Sequence, residues 1–156
     1  MTNLKILVVE DNRTQAESLR YILENSGHEV ILTQDGPEGL AYIKHERPDL
    51  VLADVLMVPM NGYELCRNMK ENKETCNIPV ILITYLYNPS DVVKVLECGA
   101  DNFIIKPYDA DCIYSRIAST IQSVPMKDQA HTFHPLNVSF LNHEHAIRAG
   151  RIEILN

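Results

Sequence analysis

Five short apolar runs, each closing on a polar or charged residue, constrain this chain more than any other feature. They are Ile6-Leu7-Val8-Val9, Val30-Ile31-Leu32, Leu50-Val51-Leu52-Ala53, Val80-Ile81-Leu82-Ile83 and Phe103-Ile104-Ile105. Each is too short for a helix, and its apolar residues are continuous rather than alternating. That is the pattern of a strand buried on both faces. Between the runs the spacing shifts to the helical period. Ala16, Leu19 and Leu23 share a face, with Gly27 as the stop. Leu40 and Ile43 follow Pro37, which suits a first helical turn, and Pro48 closes that segment. A third helix is expected over 63–71, a fourth from Asn88-Pro89-Ser90 to the glycine stop at Gly99, and a fifth through Ile113, Ile117 and Ile121 until Pro125.

Strands alternating with helices predict an α/β domain: a five-stranded parallel sheet with helices on both faces, joined by right-handed crossovers. Such sheets bind ligands outside the carboxyl ends of their strands. The residues at those ends are therefore the candidates for function. Glu10 and Asp11 follow the first strand, Asp54 ends the third, Thr84 the fourth and Lys106 the fifth. Three carboxylates on one rim repel one another unless a cation sits among them, and oxygen ligands alone suit Mg²⁺ or Mn²⁺. One carboxylate is then a nucleophile toward phosphorus, forming an acyl phosphate. A lysine ammonium and a threonine hydroxyl are suited to hold the phosphoryl oxygens.

The other numbers bound the alternatives. A net charge of -7 over 156 residues gives no basic stripe for nucleic acid. Lys127, Arg148 and Arg151 balance Asp128, Glu144 and Glu153, so the acidic excess lies in residues 1–124. No apolar run is long enough to span a bilayer, and the amino terminus has no cleavable leader pattern, so a cytoplasmic location is expected. Cys66, Cys76, Cys98 and Cys112 form no C-x-x-C pair and are expected to be reduced, buried or half-buried side chains.

Five segments in order resemble the receiver domains of bacterial and archaeal response regulators and hybrid sensor histidine kinases. They are Ile6-Leu7-Val8-Val9-Glu10-Asp11; Asp54 with Met57, Pro59 and Met60-Asn61-Gly62; Thr84; Gly99-Ala100-Asp101; and Phe103-Ile104-Ile105-Lys106-Pro107. The resemblance covers residues 4–124 and implies the flavodoxin-like receiver topology. It implies that Asp54 is the phosphoacceptor, and that Glu10, Asp11, Asp54 and the backbone carbonyl of Leu56 are the Mg²⁺ ligands. It implies that Lys106 contacts the phosphoryl group across a cis bond to Pro107. Thr84 and Phe103 are implied as the switch pair: on phosphorylation the threonine moves toward the phosphate and the ring moves inward. The implied donor is a histidine kinase or phosphotransfer protein. The chain would catalyse its own phosphorylation and dephosphorylation and turn over no separate substrate. A weak homodimer through the fourth and fifth helical faces is also implied.

Three positions depart from the family pattern. Val58 stands where proline is usual, with Pro59 one place later; Tyr85 stands where a small residue is usual; and Phe103 lacks the hydroxyl that many members carry. Tyr85 would crowd the phosphoryl site. Three rival readings follow. A flavin module of similar topology needs a hydroxyl- and glycine-rich loop after the first strand, where Glu10-Asp11-Asn12 stands. A small-molecule phosphatase commonly has a second acid two residues after its nucleophile, where Leu56 stands. A degenerate receiver would act only as a protein-interaction module.

Residues 125–156 read as a C-terminal extension or linker, the remnant of a longer chain. Leu136–Phe140 and residues 145–147 are expected to pair as a small hairpin around Asn142, and Ile152 with Leu155 to open a helix. His131, His134, His143 and His145 lack the spacing of a recognised zinc site.

Overall fold

The computed structural model describes residues 3–86 and 88–127, with side chains up to residue 123, and the backbone of residues 136–140, 143–148 and 151–154. Strands β1 (Lys5–Val9), β2 (Glu29–Thr33), β3 (Leu50–Asp54), β4 (Val80–Thr84) and β5 (Asn102–Ile105) form one parallel sheet in the order β2-β1-β3-β4-β5. Helices α1 (Arg13–Asn25), α2 (Gly36–Glu46), α3 (Gly62–Glu71), α4 (Pro89–Glu97) and α5 (Ala110–Lys127) connect and follow them.

The continuous apolar runs are explained by the two cores. Alternate strand residues point to opposite faces. Leu7, Val9, Val51, Ala53, Val80 and Leu82 join Ile43 of α2, Leu65 and Met69 of α3, and Val95 of α4. Ile6, Val8, Leu50, Leu52, Ile81 and Ile83 join Leu19 and Leu23 of α1, and Ile113 and Ile117 of α5. Cys66 and Cys98 are buried and Cys76 and Cys112 half-buried, all as free thiols.

Loop chemistry sets where each helix begins. Asn12, Asp35, Asn61 and Asn88 each cap a helix by accepting a backbone N–H. Gly27 and Gly99 take φ of 89° and 85° just past α1 and α4, as helix-ending glycines do.

Two expectations need correction. The fifth helix does not stop at Pro125 but runs on to Lys127. A proline removes one helical hydrogen bond, and here the helix continues only two residues beyond it. Arg151–Ile154 is a strand, β8, rather than the start of a helix. Ile152 and Ile154 alternate with Arg151 and Glu153, a period of two that suits a strand. It pairs antiparallel with β7 (His143–Arg148), which pairs in turn with β6 (Leu136–Phe140), Val138 opposite His145. Asn142, Leu155, His131 and His134 lie outside the described residues, as does Tyr87.

Candidate functional site

β1 has β2 on one side and β3 on the other, so the strand order reverses between β1 and β3, and that switch point opens a crevice at the strands' carboxyl ends. The register puts Val9 beside Ala53, so Glu10 and Asp54 emerge side by side. Thr84 pairs with Ile105, so Lys106 emerges at the same rim. Glu10 and Asp54 are buried, while Asp11 is exposed at the mouth. One carboxylate oxygen from each of Glu10, Asp11 and Asp54 lies within 4.8 Å of the others.

Lys106 is the cation facing this cluster. Its Nζ lies 2.8 Å from Asp54 Oδ1, with the two side chains 9% and 5% exposed. The pair is buried, so Lys106 is the direct charge partner of Asp54 Oδ1. Lys106 Nζ also donates to Gln15 Oε1, at 3.0 Å. The Tyr85 ring lies against the same ammonium, 5.4 Å from its centroid. The peptide bond from Lys106 to Pro107 is cis, as is that from Val58 to Pro59.

The electrostatics follow from burial. Burial pushes the Glu10 carboxyl up to about 7; the Asn12 amide opposes this, the Asp54 charge adds to it and Lys106 opposes it. Burial also raises Asp54, with Lys106 pulling it back and Asp11 adding to the rise. Tyr108, beside the pocket, is raised to about 12 by burial and then by Glu10 and Asp54. Burial thus disfavours the charged forms of these carboxylates unless a cation joins them. A hard dication suits such a set of oxygen donors, with one carboxylate oxygen from each of Glu10, Asp11 and Asp54 within 4.8 Å of the others.

Beside the pocket a groove of about 850 Å³ runs between α3 and α4. Leu56, Tyr63, Thr84 and Tyr85 line it. Leu56 is 66% and Val58 79% exposed, so the loop after Asp54 carries apolar side chains outward. Thr84 is buried. Phe103 is also fully buried, with the Arg116 guanidinium 5.6 Å from its ring. Its ring is thus enclosed in this state.

Every rim residue singled out in the sequence lies at this end of the sheet. Sequence reasoning missed Gln15 and Tyr108. Tyr108 had a signal, being two residues beyond Lys106. Gln15 had none, because three residues after Asn12 it reads as part of a helix cap.

A parallel sheet of this order, with an acidic cluster and a lysine at its switch point, defines the receiver class of signalling proteins. Residues 6–118 match the response regulator receiver domain family, and the chain belongs to it. The chain is 38% identical over 115 residues to response regulator PleD of Caulobacter vibrioides, covering 74% of this chain and 25% of PleD. It is 33% identical to protein PilH of Pseudomonas aeruginosa over 75% of this chain and 97% of PilH. The crystal structure of the signal receiver domain of a signal transduction histidine kinase from Syntrophus aciditrophicus is 41% identical, with a TM-score of 0.73. That match covers 88% of this chain and 99% of that one. The chain thus spans a quarter of PleD but nearly all of PilH. Receiver domains act in two-component signalling as phosphoacceptors, bind Mg²⁺ at an acidic pocket and work with histidine kinases or phosphotransfer proteins. Among the described residues no helix is long and apolar enough to cross a membrane.

Proposed function

We propose that this receiver takes a phosphoryl group onto Asp54 from a phosphohistidine of a histidine kinase or phosphotransfer protein. The observation that carries this reading is the cluster of Glu10, Asp11 and Asp54 with Lys106 Nζ 2.8 Å from Asp54 Oδ1. A carboxylate oxygen of Asp54 bonds to phosphorus as the donor's N–P bond breaks, and the electron pair of that bond leaves with the imidazole. Lys106 neutralises one phosphoryl oxygen, and the Thr84 hydroxyl hydrogen-bonds another. Mg²⁺ held by Glu10, Asp11, Asp54 and the Leu56 carbonyl would supply charge neutralisation for the incoming oxygens.

The same reading gives the rest of the molecule its roles. Thr84 is the moving member of the switch. Phe103, already enclosed, defines the space behind it. The response is a population shift that the phosphoryl group biases. Residues 1–124 form the receiver unit and 125–156 an extension or linker. The faces of α4, β5 and α5 support a weak homodimer, and the chain works in the cytoplasm.

Intact-mass spectrometry after incubation with Mg²⁺ and acetyl phosphate tests the reading. One added phosphoryl group is expected in the parent and none in Asp54→Asn. A label that persists in Asp54→Asn would place the acceptor elsewhere. No label from acetyl phosphate or from a phosphohistidine donor would leave the chain a degenerate receiver.

A further inference from the structure

Three helices of this chain begin with an asparagine cap followed, three residues into the helix, by a side chain able to close a reciprocal box. Two of them close it. Asn61 and Glu64 satisfy each other's backbone N–H at the start of α3, and Asn88 and Asp91 do so at the start of α4. At α1 the pattern breaks. Asn12 Oδ1 accepts from the Gln15 N–H at 2.9 Å, but Gln15 does not reach back. The Asn12 N–H donates instead to Glu10 Oε1, at 3.0 Å. The Gln15 side chain turns into the site, where its Oε1 accepts from Lys106 Nζ at 3.0 Å.

This bond joins residues 91 positions apart and is partly buried. An ammonium only donates, so the amide oxygen of Gln15 must be the atom facing it. Glu10 makes the arrangement possible, since it takes over the cap proton that Gln15 would otherwise serve. Lys106 is held from three sides: Gln15 Oε1, Asp54 Oδ1 and the Tyr85 ring.

We infer that Gln15 is a positioning residue for phosphoryl binding, anchoring the Lys106 ammonium over Asp54 from outside the reaction centre. The inference rests on the assignment of Lys106 to the phosphoryl group and deepens it. Lysine is a flexible, rotamer-rich side chain. A fixed acceptor outside the reaction centre keeps its head in place when the phosphoryl oxygens arrive. Asp54 stays available to the metal and to phosphorus.

The test uses the full chain and beryllofluoride, a tetrahedral stand-in for the phosphoryl group, titrated calorimetrically with Mg²⁺ in excess. Gln15→Met keeps the length of the side chain and removes the acceptor. Its beryllofluoride Kd is expected to rise about tenfold, the usual worth of one hydrogen bond to a charged group. Its Kd for Mg²⁺ alone and its thermal midpoint are expected to match the parent. The Gln15→Met, Lys106→Met double variant is expected to bind no more weakly than Lys106→Met, since Gln15 acts through Lys106. Equal beryllofluoride affinity in parent and Gln15→Met, or losses that add in the double variant, would overturn the inference. A parent that binds no beryllofluoride and takes no phosphoryl group would sink the phosphoacceptor assignment itself, and this inference with it.

Discussion

Tyr85 shows how one side chain sets the character of this site. A small residue there would leave the Lys106 ammonium open to the groove. The Tyr85 ring, 39% exposed, closes one side of it instead. A ring face against an ammonium is worth about 0.5–2 kcal/mol, and it also blocks approach. Removing it frees Lys106 and admits water. Tyr85→Ala is therefore expected to speed loss of the phosphoryl group roughly fivefold, a barrier change of about 1 kcal/mol. Tyr85→Phe keeps the face and should decay more slowly than Tyr85→Ala. Following phosphorylated protein by mass spectrometry after donor removal reads both rates, and equal decay in all three would retire the idea. At this scale the sequence was informative where a charged residue follows an apolar run, as with Glu10, Asp54 and Lys106. It was silent on Gln15, whose local spacing describes a helix cap and whose partner is brought to it only by the packed sheet.

Elements position the site through close backbone approach as well as through side chains. The α3 amino end packs against the end of β3. The Gly62 N–H donates to the Val55 carbonyl at 3.0 Å, and a Cβ on Gly62 would lie 2.5 Å from the Asp54 carbonyl oxygen. Backbone cannot swing aside as a side chain does. Gly62→Ala is thus expected to displace the Asp54 peptide and lower both the thermal midpoint and the extent of labelling by acetyl phosphate. Normal labelling would show that the β3 end yields without moving the carboxylate. The opposite end of α3 is fixed by a half-buried cation. Lys70 Nζ bonds the Cys76 and Ile78 carbonyls and pairs with Asp101 Oδ2 at 2.9 Å. Asp101 Oδ2 also accepts the Val80 N–H at 2.8 Å. One ammonium ties α3, the following turn, the start of β4 and the turn before β5. Lys70→Met leaves the carboxylate without its cation and should cost about 3 kcal/mol in urea denaturation. A loss under 1 kcal/mol would mean that water replaces the cation at little cost. The elements themselves were legible because asparagine, proline and glycine mark their ends. The strand at Arg151–Ile154 was misread because four residues are too few to separate a period of two from the first turn of a helix.

The whole molecule separates its chemistry from its stability along the strand axis. Glu10, Asp54, Thr84 and Lys106 crowd the carboxyl ends, while a buried histidine sits at the amino ends, just before β2. His28 Nδ1 accepts the Leu4 N–H at 3.2 Å, so its ring is neutral with the proton on Nε2. Burial lowers its pKa from the ordinary 6.5. The sign follows from linkage. The unfolded chain binds this proton more readily than the folded one, so the neutral form's contribution is fully present above 6.5 and is lost as pH falls through the lowered value. A protonated ring would also turn a donor toward the Leu4 N–H. His28 lines a cavity of about 300 Å³ with Tyr114 and Ile117 of α5, and the Tyr114 hydroxyl donates to the Ile22 carbonyl at 3.1 Å. Acid should therefore loosen the packing of α1 and α5 at this end. Glu10, raised to about 7, titrates over the same range, so the quantity to read is the difference between parent and His28→Gln, which keeps an acceptor but cannot titrate. Urea midpoints measured from about pH 7.5 down to about 5.5 should fall more steeply in the parent. Parallel curves would mean that His28 is no more costly to protonate in the fold than out of it. Because the phosphoryl site lies at the other end of the sheet, labelling of Asp54 near neutral pH should be the same in both proteins.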